Sequence, residues 1–176
     1  MNTFIILLRG VTPSGKNKVL MAPLRAALTK AGLKDVQTYI QSGNIIAVSS
    51  LTAPEIEELV HEVIQNSTGG DIRALARTPD QLAAVLEGNP FKDADPPQPY
   101  FSLLATEPEK GPLKELLATD FSPDQVYYRN NTLYTLYATK HSDSKFNNNF
   151  FERKLGVAAT TRNINTMNKL VALATQ

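Results

Sequence analysis

Residues 36–49 read Val-Gln-Thr-Tyr-Ile-Gln-Ser-Gly-Asn-Ile-Ile-Ala-Val-Ser. β-branched and aromatic residues fill both ends, and Ser42-Gly43 marks a turn between them. The stretch predicts two strands, Val36–Gln41 and Asn44–Ser49, joined as a hairpin with no room for a helix between them. Hairpin strands are antiparallel, whereas parallel neighbours need a crossover of a dozen residues or more. That inference separates a split βαβ sheet from a parallel nucleotide-binding one.

Outward from the hairpin, Thr3–Arg9 is apolar and β-rich, as a buried strand should be. Val19, Leu20, Leu24, Ala27 and Leu28 recur at helical spacing, predicting a helix from Lys18 to Ala31 that Gly32 ends. On the other side, Pro54 opens a helix running to Ser67, with Glu55, Glu57 and Glu58 at its positive end. Gly69-Gly70 breaks it, and Asp71–Arg77 is a fourth strand. The order is β-α-β-β-α-β, the ferredoxin-like pattern. A short helix, Pro79–Leu86, follows. The order then recurs: Tyr100–Ala105, helix Gly111–Ala118, strands Gln125–Arg129 and Leu133–Thr139 about Asn130-Asn131, helix Phe146–Leu155, and strand Val157–Thr161. A last helix, Asn163–Ala174, closes the chain. The expected fold is α+β, two ferredoxin-like halves in tandem with a C-terminal helix. The halves are 1–88 and 100–176, joined by a linker, 89–99, that holds Pro90, Pro96, Pro97 and Pro99.

Among 176 residues, 42% are hydrophobic and 20% charged, which excludes a disordered chain. The chain has no Cys, so disulfides, thiolate metal sites and cysteine nucleophiles are excluded. The apolar run in MNTFIILLRG is too short for a secretion signal, and no later run approaches the ~18 residues of a membrane span. The expectation is a cytoplasmic protein with no membrane partner, no metal and no cofactor. The net charge of +1 hides a pattern. Residues 1–34 carry six basic residues and no acid, residues 35–124 five basic and fifteen acidic, and residues 125–176 seven basic and two acidic. Basic ends that meet in space make one positive face.

The first loop, Gly10-Val11-Thr12-Pro13-Ser14-Gly15-Lys16-Asn17, matches the phosphate-binding loop G-x-x-x-x-G-K-[ST] except at its last position. The missing hydroxyl would hold magnesium, and Pro13 removes an N–H that would face phosphate. A middle reading keeps backbone N–H groups at a helix start, with Lys16 nearby, as an anion site. The tip Tyr39–Asn44 is a polar neighbour. The run Arg153–Asn163 packs three basic residues around a helix start, where Thr161 or Asn163 would cap. Arg162 there is unfavourable without an anion or an acidic partner. Catalytic groupings are thin: His61 lies inside a helix, and His141 beside Ser142, Asp143 and Ser144 is adjacency, not a triad. Tyr127, Tyr128, Tyr134 and Tyr137 read as core in the absence of an RNP octapeptide.

The segments LLRG with GKNKVLMAPLR, TYIQSGNI and ERKLGVAATTRNINTMNKL together resemble a bacterial family known as domain of unknown function 1697. The family commonly carries Asn-Val-Gly-Gly where this chain has Thr12-Pro13-Ser14-Gly15, and Trp where it has Ile164. The resemblance implies two linked α+β halves and lends no activity. From the basic ends joined by Gly-turn and helix-start loops, the leading expectation is a non-enzymatic domain that binds an anionic, phosphate-bearing small molecule or nucleic acid. Its candidate contacts are Arg9, Lys16, Asn17, Lys18, Ser42, Asn44, Lys145, Arg153, Arg162 and Asn163. The alternatives are an enzyme acting on a phosphorylated small molecule, with Tyr39 or His141 as acid or base, and a structural or interaction module. The loop Gly10–Lys18, the turn Ser42–Asn44 and the segment Arg153–Asn163 are expected on one face. Acidic Glu55–Glu62, or Asp93 and Asp95, would turn that face into a salt-bridged interface.

Overall fold

The computed structural model describes residues 1–94 and 97–176; Asp95 and Pro96, from the proline-rich segment, lie outside the described residues. The fold is mixed α+β with two four-stranded antiparallel sheets and, among the described residues, six α-helices. The chain divides into two units: residues 1–83 with 169–176, and residues 84–168.

The first unit holds β1 (Asn2–Leu8), α1 (Met21–Lys30), β2 (Lys34–Tyr39), β3 (Asn44–Ser49), α2 (Ala53–Thr68) and β4 (Ala74–Arg77), in the sheet order β2-β3-β1-β4. β1 lacks alternation because both of its faces are buried: Phe4, Ile6 and Leu8 join the helix-side core, and Ile5 and Leu7 are equally inaccessible. Leu24 and Leu28 of α1 and Ile56, Val60 and Ile64 of α2 complete that core. Each such side chain is worth roughly 1.5–3 kcal/mol of burial.

Several boundaries differ from expectation for local reasons. α1 starts at Met21 rather than Lys18, with Leu24 N–H to the Leu20 carbonyl as its first bond. A start at Lys18 would put Pro23 beyond the first turn, where its missing N–H and its ring break a helix; from Met21 it is a first-turn residue. β2 ends at Tyr39, which pairs with Asn44, so the turn is Ile40–Gly43 rather than Ser42-Gly43 alone. The fourth strand is shorter than Asp71–Arg77, since its pairing with β1 begins only at Ala74. α2 lies within a residue of expectation: the Glu55 carboxylate accepts from the Thr52 N–H and hydroxyl at 2.7 Å each, and Gly69 ends it with φ 74°.

α3 (Pro79–Glu87) follows. The second unit repeats the order with β5 (Tyr100–Leu104), α4 (Lys110–Leu117), β6 (Gln125–Arg129), β7 (Thr132–Leu136), α5 (Asn148–Leu155) and β8 (Ala159–Asn163), in the sheet order β6-β7-β5-β8. α6 (Ile164–Ala174) comes last. The core of the second unit joins Leu104, Leu133, Tyr137, Phe146, Phe151 and Leu155. α5 starts two residues later than expected because Asn147 caps it, its Oδ1 accepting from Phe150 N–H at 3.0 Å. β8 runs to Asn163 rather than Thr161, opposite Tyr100.

Candidate functional site

In the first unit the sheet order sets the end of β1 beside the start of β3. Leu8 N–H donates to the Gly43 carbonyl at 2.8 Å. A Cβ on Gly43, at φ 89°, would stand 2.7 Å from Leu8 Cβ, so only glycine fits. The first loop thus meets the hairpin tip, as expected. The Gln41 side chain donates to the Val19 carbonyl, and Asn44 Nδ2 to the Tyr39 carbonyl at 3.0 Å.

The loop itself is closed rather than open to a ligand's oxygens. Thr12 N–H donates to the Asn17 carbonyl at 2.9 Å, and Lys18 N–H to the Gly15 carbonyl at 3.2 Å. It rests on Gly70, where a Cβ would fall 2.4 Å from the Lys16 carbonyl oxygen. Because α1 begins only at Met21, Lys16 is not at a helix start, which corrects the helix-start anion site. The antiparallel sheet also excludes phosphate-loop hydrolase architecture. What the loop offers is side chains. Lys16, Lys18 and Ser42 are exposed, Arg9 and Asn17 half-buried, and Asn44 buried.

One acid joins this cluster. His61 Nε2 lies 2.7 Å from Asp71 Oδ1, and Arg73 Nε 3.5 Å from the same oxygen. The His61 hydrogen bond holds the Asp71 carboxyl below its usual range, helped by the charges of Arg73 and Arg9. This pair was illegible in the sequence, since it joins a helix interior to a strand approach across the Gly69-Gly70 break.

In the second unit the candidates separate into exposed and internal groups. Lys145 and Arg153 are exposed and lie over aromatic rings: Lys145 Nζ is 5.0 Å from the Phe146 centroid, and Arg153 Cζ 5.7 Å from that of Phe150. Lys154, not singled out from sequence, lies 5.8 Å from the Phe150 ring. Arg162 sits inside β8, only 8% exposed, its Nη1 donating to Thr160 Oγ1 at 2.8 Å and the Thr161 carbonyl at 2.9 Å. Burial pushes its pKa down to about 10, which leaves it protonated at neutral pH. Asn163 caps α6, accepting from Thr166 N–H at 2.8 Å. The chemistry expected of a helix-start arginine is therefore that of a buried strand cation.

His141 has surroundings that its sequence neighbours do not suggest. Its ring stacks on Tyr100 at 4.5 Å and meets Tyr137 edge-on at 5.0 Å. These rings, with Thr139, Lys140 and Asn163, line a cavity of about 190 Å³. Burial lowers the His141 pKa, and its Nε2 has no hydrogen-bond partner among the described residues. Ser142 bonds to Asp143 and Ser144 to Asp124, so the adjacent Ser, His and Asp form no triad. Among the described residues no three His, Cys, Asp or Glu side chains group to hold a metal, and no helix is long and apolar enough to cross a membrane.

Residues 1–134 match the family described as "Protein of unknown function (DUF1697)". Among solved structures, the conserved bacterial protein SP0830 from Streptococcus pneumoniae is similar in fold, with a TM-score of 0.77 at 22% identity over 98% of each chain. No curated protein matches the chain.

Proposed function

Because the chain belongs to the DUF1697 family of proteins of unknown function, whose membership fixes no activity, we propose its function from geometry: a non-enzymatic domain that binds an anionic, phosphate-bearing ligand. The observation that carries this reading is the exposed pair Lys16 and Lys18 on a loop clamped against Gly70 and the hairpin tip. A fixed backbone spares the cost of ordering the loop and leaves only the lysine side chains to be ordered on a phosphate. Arg9 follows β1 and Ser42 lies in the turn between β2 and β3, and Asp71 is committed to His61 and Arg73. The strand orders β2-β3-β1-β4 and β6-β7-β5-β8 support the ferredoxin-like reading of both halves. The cysteine-free composition supports a cytoplasmic location.

The test is a thermal-shift and anisotropy panel of nucleotides, pyrophosphate and a labelled oligonucleotide. Binding should raise the melting temperature and weaken with salt, and Lys16→Ala/Lys18→Ala should lose most of it. Unchanged affinity in that double variant would sink the reading.

One observation favours a second reading, an enzyme acting on a phosphorylated small molecule. His141, its proton affinity reduced by burial, shares a cavity with Lys140. Phosphate release from such substrates, abolished in His141→Gln, would establish it.

A further inference from the structure

α5 carries an arrangement that the loop reading does not use. Asn147 fixes its first turn by accepting from Phe150 N–H, so the Phe150 ring is held on rigid backbone. The ring packs edge-on against Phe146 at 5.2 Å and Phe151 at 5.9 Å, and the residue is half-buried rather than enclosed. Arg153 and Lys154 follow Phe150 by three and four positions, the spacing that brings helix side chains together. Both cations lie within 6 Å of its centroid, and Lys145 lies over the neighbouring Phe146.

The charges around this cluster are lopsided. Glu152, the one acid of α5, turns inward, accepting from Asn148 Nδ2 and Ala159 N–H. Glu107 and Glu109 line a groove of about 480 Å³ with Arg153 and Lys154 but form no ion pair with them among the described residues. Asp120 lies near enough to Lys145 for its carboxyl to feel that charge, though the Ser122 backbone holds the carboxyl more strongly. Among the described residues, these three cations around two aromatic rings lack a carboxylate at contact distance.

We propose that the Phe150 ring with Lys145, Arg153 and Lys154 is a contact site for single-stranded nucleic acid, the ring stacking an unpaired base and the cations meeting the flanking phosphates. The proposal rests on the reading of the chain as a phosphate-binding domain and narrows its ligand class. A lone phosphate would use the cations and leave the ring idle. A duplex keeps its bases stacked on each other, so only a single strand offers a free π-face. The competing surface is the β6 edge, where Tyr127 is 43% exposed with Arg129 Cζ 6.0 Å from its ring.

The test uses the full chain and a fluorescein-labelled oligouridylate of about twelve nucleotides, titrated by anisotropy at several salt concentrations. Phe150→Leu keeps apolar packing and removes the stacking plane; it should weaken binding about tenfold. Arg153→Gln/Lys154→Gln alters exposed groups only, and should lower the log–log salt slope by about 1.4. Tyr127→Ala should bind as the wild type, and a duplex of the same length should bind more weakly. Full affinity in both α5 variants, or a loss in Tyr127→Ala alone, overturns the proposal. If Lys16→Ala/Lys18→Ala loses binding while Phe150→Leu keeps it, the loop reading stands and this one fails. If Phe150→Leu loses binding while the loop variant keeps it, this one stands without the loop. A wild type that ignores the probe at low salt ends both.

Discussion

Gly43 shows how much of this molecule depends on a single missing methyl. Its φ of 89° and the 2.7 Å gap to Leu8 Cβ act together, so Gly43→Ala suffers both backbone strain and a clash with the core strand. Urea denaturation should show a loss of about 2 kcal/mol or more, since the strain alone costs about 1–2. Ile40, three residues earlier, has the opposite problem: a β-branched, half-exposed residue at φ 50°. Ile40→Asn suits that backbone and should raise the urea midpoint, by about 1 kcal/mol in stability. His141 gives a pH signature. Burial depresses its folded pKa below the ordinary 6.5, so the unfolded chain takes up the proton first as pH falls. Stability is full above about pH 6.5 and declines as pH drops towards the folded pKa. His141→Phe, which keeps a ring on Tyr100, should flatten that decline in melting curves at pH 7 and pH 5.

Among elements, the join of α5 to β8 is made by polar side chains. Glu152 Oε1 accepts from Ala159 N–H at 2.9 Å, and Asn148 reaches the Ala159 carbonyl and, through Thr161, Ser102. Glu152→Ala leaves the Ala159 N–H without that acceptor and should cost about 1–3 kcal/mol in chemical denaturation; Glu152→Gln, which keeps an acceptor, should recover most of it. Elements were legible where sequence carries its own stop signals. β6 has its expected bounds, and α2 is marked by Thr52, Glu55 and Gly69. α1 and α5 were misplaced where one side chain decides: Pro23 forbids the earlier start, and Asn147 takes the cap. The candidate site was legible only as charge. Lys145 and Arg153 stand out in a sequence as cations, but Phe150 reads as one more core residue until its partial exposure and its two cations are known.

For the whole molecule the informative quantity is the pattern of charge, not its sum. The sequence pI is about 7.9, so near pH 8 the net charge is close to zero. A chain whose charges were evenly mixed would then ignore a polyanion. Retention on heparin at pH 8 and low salt, reduced in Lys16→Ala/Lys18→Ala, is the expected outcome. The first unit is discontinuous in sequence. Residues 169–176 belong to it, separated from residues 1–83 by the whole of the second unit. During synthesis the ribosome makes β1 to β4 early, yet the unit gains its last eight residues only after residue 168 has emerged. A nascent chain stalled before that point holds the strands of the first sheet in a unit that still lacks residues 169–176.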